Sequence, residues 1–113
     1  MESLLEKTFK VPEGRFKVSE LTDVLGTVFG ESCTNNGYHN PGHVLNVDGG
    51  GTVDKGTIIS PIIIEGIGSV VTVRETRDRI NLNVHNDTYI GLFRKGEQKV
   101  IDYFTSIGGE PLN

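Results

Sequence analysis

Residues 69–86 read SVVTVRETRDRINLNVHN, and the reading of this stretch decides the fold. Residues 69 to 76 and 79 to 86 each alternate, and the Arg77-Asp78 pair between them has the length of a tight hairpin loop. Side chains on a strand point alternately to opposite faces, so one register sorts both segments together. Val71, Val73, Ile80, Leu82 and Val84 fall on an oily face. Thr72, Arg74, Thr76, Arg79, Asn81, Asn83 and His85 fall on a polar one. The oily face is the expected core, and the polar face is the place to look for function.

Outward from the hairpin, Asn86-Asp87 reads as a turn into a further strand, Tyr89 to Arg94. A two-residue turn there sets Ile90 and Leu92 beside Asn81 and Asn83. A three-residue turn sets Tyr89, Gly91 and Phe93 beside them and returns Ile90 and Leu92 to the oily face, so the second is expected. Gly96 then opens a final helix with Val100, Ile101, Phe104 and Ile107 toward the core, ended by Gly108-Gly109. Upstream, residues 57–65 read TIISPIIIE, apolar on both faces, with a turn at Glu65-Gly66-Ile67-Gly68. Pro61 has no N–H to donate, which places this strand at a sheet edge or a bulge. The sum is a four-stranded antiparallel meander.

Toward the N-terminus, Leu21, Val24, Leu25, Val28 and Phe29 form the stripe of an amphipathic helix, opened by Ser19 as N-cap and closed by Gly30. Residues 1–17 read as an arm in which Ser3 caps at most one helical turn and Phe9, Val11 and Phe16 pack on the body. Between residues 30 and 56 periodicity disappears into a Gly/Asn/His-rich loop, with Val44-Leu45-Asn46-Val47 as its one short strand signal. Loops of that length in a small domain are more often functional or mobile than connecting. The fold class expected is α+β, one domain over residues 1–113, with both helices on the oily face of the meander.

Composition narrows the function classes. Only 35% of the 113 residues are apolar, with 15 Gly besides, which suits a small core that gains stability by self-association. A net charge of −4 argues against general nucleic-acid binding, although a local arginine cluster suits one small anion. The single cysteine, Cys33, permits no internal disulfide, and Met1 to Lys10 has neither a signal-peptide run nor a membrane span. A cytoplasmic protein is expected.

The polar face is the leading candidate site. Arg74 and Arg79 offer guanidinium groups for an anion, Asn81, Asn83 and His85 offer edge hydrogen bonds, and Tyr89 or Phe93 offers a ring for stacking, which together suit a nucleotide-like ligand. The same face also reads as a plain solvated sheet surface, or as a subunit interface with Ile63 and Val70 beside it. His39 and His43 have a metal-ligand spacing, with Cys33 and Asp48 nearby, but Pro41 and Gly42 break the helix that would give the spacing meaning. No metal or cofactor is expected. Asp48-Gly49-Gly50-Gly51-Thr52 lacks the Lys-Ser/Thr of a P-loop. Cys33 has no adjacent cation, the serines sit in no nucleophile elbow, and no carboxylate pair stands out beyond Glu65 and Glu75.

The expected function is therefore a non-enzymatic binding protein, a homo-oligomer, holding a small polar or anionic ligand between the polar face and the 30–56 loop. Two alternatives are an interaction module or inhibitor docking through the apolar edge Ile58 to Ile64, and a small hydrolase using His39, His43 or His85 as base. In size, charge and lack of catalytic motifs the chain is similar in type to small proteins, often viral, that sequester a signalling nucleotide or block a host protein.

Overall fold

The computed structural model describes residues 5–38, 46–47, 51–52, 55–61 and 70–112. In chain order the elements are β1 (Leu5–Lys10), α1 (Val18–Phe29), β2 (Cys33–Tyr38), β3 (Asn46–Val47), β4 (Gly51–Thr52), β5 (Lys55–Pro61), β6 (Val71–Glu75), β7 (Arg79–Val84), α2 (Asp87–Ser106) and β8 (Glu110–Pro111). The class is α+β, as expected, but the main antiparallel sheet has six strands rather than four, in the order β2-β5-β6-β7-β1-β8. β3 and β4 form a separate two-stranded ladder.

The β6–β7 hairpin has the expected register. Val71 pairs with Val84 and Glu75 with Ile80, which leaves Arg77-Asp78 as the loop. Neither loop residue has a positive φ, so the connection is not one of the I′ or II′ turns that close most two-residue hairpins. It is held partly from outside: Thr76 N donates to Arg79 O at 2.9 Å, and Val11 N donates to Asp78 O at 2.8 Å.

Three expectations about the strands need correction. The N-terminal arm is β1, an interior strand paired with β7 from Leu5↔Val84 to Lys10↔Arg79 and with β8 on its other side. β5 is not an edge strand, since β2 and β6 flank it. Its Pro61 is the last residue, beyond the β6 ladder that ends at Ile59, so the missing N–H costs that ladder nothing. β2 takes residues 33–38 out of the segment read as loop. Residues 39–45, 48–50, 53–54 and 62–69 lie outside the described residues, and with them the turn at 65–68 and Ile63.

The helices also shift. α1 begins at Val18 with Lys17 in the N-cap position and no side-chain cap bond, so Ser19 is inside the helix. Gly30 closes it as expected, at φ 71°, donating its N–H to Gly26 O. Tyr89 to Arg94 is not a strand: α2 runs from Asp87, capped by Asn86, whose side chain accepts from the N–H groups of Thr88 and Tyr89. Tyr89 and Phe93 lie on the buried stripe of that helix with Val100 and Phe104.

Leu21, Leu25 and Phe29 of α1 and the buried stripe of α2 form one core with Leu5, Phe9, Val71, Val73, Ile80, Leu82 and Val84. Phe9 stacks on Phe104 with ring centroids 4.0 Å apart. Both helices therefore cover the oily face, and Gly96 lets α1 approach α2 closely enough that a Cβ there would lie 2.8 Å from Val28 Cγ1.

Candidate functional site

The polar face is assembled from β6, β7 and β1, and its rows follow from the register. Thr72, Asn83 and Glu6 lie side by side, then Arg74, Asn81 and Thr8, then Arg79 and Lys10 at the hairpin tip. The cations gather at the tip end, where Arg77 of the loop joins them. Glu6 stands at the other end.

The amides of this face are engaged with one another. Asn81 Nδ2 donates to Thr8 Oγ1 at 2.9 Å and to Glu6 Oε2 at 3.2 Å, while Asn83 Nδ2 donates to Asn81 Oδ1. Asn81 is 2% exposed and Asn83 4%, so this is a buried polar network rather than a solvated stripe. His85 N donates to Val70 O, and its ring Nε2 lies 2.7 Å from Thr72 Oγ1.

The arginines are less committed. Arg74 is half-buried. Arg79 Nη1 contacts Asp78 Oδ2 at 3.4 Å, an ion pair whose carboxylate is largely exposed. Its Nε is buried and has no hydrogen-bond partner among the described residues.

Of the seven residues expected at the site, the sheet brings Arg74, Arg79, Asn81, Asn83 and His85 to one face. Tyr89 and Phe93 are on the other side of the sheet, because their segment is helical. Phe93 is fully buried. Tyr89 packs edge-on to Phe29 and donates its hydroxyl to Glu31 Oε2. Burial and that carboxylate push the Tyr89 phenol up to about 12.

Sequence reading missed Glu6, Thr8 and Lys10. The signal was present in Leu5-Glu6-Lys7-Thr8-Phe9-Lys10, which alternates except that Lys7 takes an inward position opposite Leu82. Lys7 satisfies its charge there with Glu97 of α2, at 3.0 Å.

Cys33 donates to Glu31 O at 3.5 Å, and its pKa is raised to about 11 by burial and by the Glu31 carboxylate. A thiol held protonated at neutral pH is a poor nucleophile. It borders an open groove of about 470 Å³ beside the last turns of α1. Among the described residues no three His, Cys, Asp or Glu side chains converge as metal ligands, while His39, His43 and Asp48 lie outside those residues. No described helix is long and apolar enough to cross a membrane.

No protein-family model matches the chain, and neither a curated protein nor a solved structure matches it.

Proposed function

We propose that the protein is a non-enzymatic binding protein, working as a homo-oligomer, that holds a small polar or anionic, nucleotide-like ligand against the face of its sheet turned away from the helices. The observation that supports this reading is the guanidinium arrangement at the tip end of that face. Arg74 and Arg79 lie on neighbouring strands there, with Arg77 in the loop, and the buried Asn81–Asn83–Thr8 network gives them a rigid floor. Docking through the apolar segment Ile58 to Ile64 would fall to its residues 62–64, outside the described residues, because Ile58 itself is paired with both β2 and β6.

Calorimetric titration with a panel of nucleotides and phosphorylated metabolites tests the reading. Arg79→Ala should weaken binding by about 1.5–3 kcal/mol, the worth of a charge-assisted hydrogen bond, and leave the circular dichroism spectrum unchanged. Val73→Asp, on the core face, should unfold the chain by burying an unpaired charge. A panel with no ligand for the wild-type protein removes the binding role. Sedimentation of the same samples reports the oligomer.

A further inference from the structure

The main sheet ends differently on its two sides. At one end β8 contributes only two residues, Glu110 and Pro111, and the stretch of β1 beyond their reach carries Glu6 and Lys7. A short strand, charged side chains and a proline without an N–H are the devices by which natural edges refuse a further strand. At the other end stands β2, Cys33-Thr34-Asn35-Asn36-Gly37-Tyr38, with neither a charge nor a proline along its six residues. It pairs with β5 in unbroken register from Cys33↔Pro61 to Tyr38↔Gly56, so no bulge twists it away. Among the described residues its outer side pairs with nothing. Successive residues of an antiparallel strand turn their N–H and C=O alternately to one side and the other, so this outer side is a row of backbone donors and acceptors that a further strand would satisfy.

The row is open to an approaching chain on the helix side. An open groove of about 470 Å³, lined by Thr22, Gly26 and Thr27 of α1 and by Ser32 and Cys33, lies beside the first residue of β2. The small residues of that helix flank leave room for a chain laid along the strand, and Asn35 further on is exposed.

Charge and closure decide which strand fits. The chain carries a net charge of −4, so two copies repel each other over most of their surface, whereas β2 brings no charge to a contact. The β8 end of a copy is blunted, which leaves its β2 as the matching edge. Pairing β2 with β2 satisfies both open edges at once and gives a sheet that ends in β8 on both sides, a closed two-fold assembly. We infer that β2 is a dimer interface, where the strand pairs antiparallel with β2 of a second copy of this chain and joins the two sheets edge to edge. The inference rests on the homo-oligomer reading proposed above and names its interface. A two-fold axis perpendicular to the sheet keeps both helix layers on one side and sets the residue on the axis opposite its own copy. For pairing centred on the strand, that residue is Asn35 or Asn36.

Asn35→Cys and Asn36→Cys, each in a Cys33→Ser background, test the pairing directly, because opposed Cα atoms about 4.5–5.5 Å apart are within the span of a disulfide. One of the two should cross-link to a covalent dimer under mild oxidation, and Glu110→Cys at the other end of the sheet should not. The double variant Asn35→Asp/Asn36→Asp keeps the shape of both side chains and sets like charges across the axis. It should weaken the dimer about tenfold or more in sedimentation, with added salt restoring part of the loss. Exchange of the β2 amides should slow as protein concentration rises. A wild-type dimer that neither cysteine cross-links and the double variant does not weaken is built elsewhere, so the assignment falls and the homo-oligomer stands. Amides of β2 protected equally at every concentration mean that the chain covers its own edge, which also overturns the assignment. A wild-type chain that stays monomeric at high concentration removes both.

Discussion

Asn81 uses both amide hydrogens to hold β1, one on Thr8 and one on Glu6, and its carbonyl accepts from Asn83. The contact with Glu6 joins residues 75 apart in the chain, so one side chain fixes the register of an N-terminal strand against the hairpin. Asn81→Ala should therefore cost about 1–3 kcal/mol in chemical denaturation, because it leaves the buried Asn83 amide without its acceptor. Asn81→Asp should cost more at neutral pH, since it replaces the amide donor with a second carboxylate beside Glu6. That Asn81 and Asn83 share a face with Arg74 and Arg79 was legible from alternation alone. That the amides are buried and bonded was not, because their partners come from a segment that alternates only when Lys7 is allowed an inward position.

α2 shows how one short segment supports two periodicities. Tyr89 to Phe93 alternates well enough for a strand, but Tyr89 and Phe93 are also four apart, and the same stripe continues through Gly96, Val100 and Phe104. The Asn86 cap starts the helix, and burying both aromatics against α1 and the sheet sustains it. Two glycines of this helix have opposite roles. Gly91 is exposed with no atom within 4 Å of a built Cβ, so Gly91→Ala should stabilise by about 0.5–1 kcal/mol through backbone entropy. Gly96→Ala gains the same entropy but drives its methyl into Val28, a stiff β-branched neighbour, and Gly96→Val should destabilise by about 1–3 kcal/mol. Thermal melts of the variants, with Val28→Ala added to relieve the clash, check both.

The stability of the whole molecule should be sensitive to alkali through the Glu31 cluster. Cys33 rises from 9.0 to about 11 and Tyr89 from 10.0 to about 12, chiefly by burial and then through Glu31. A raised folded pKa favours the protonated form in the native state, so its contribution is complete below the unfolded value and is lost as pH climbs through the folded one. Denaturant midpoints should hold up to about pH 9 and fall between about pH 9 and 12. Glu31→Gln, which keeps an acceptor for Tyr89 and removes the charge, should flatten that decline, and tyrosinate absorbance should follow it. Local chemistry accounts for what could be read directly: the hairpin register comes from a two-residue alternation, and the ends of α1 and α2 come from glycines able to take positive φ at Gly30 and Gly108. The strand order and the insertion of β1 beside β7 have no such local mark. Leu5 pairs with Val84 because β7 offers an open ladder and the core needs Leu5 and Phe9, and a preference of that kind exists only once the rest of the sheet has formed.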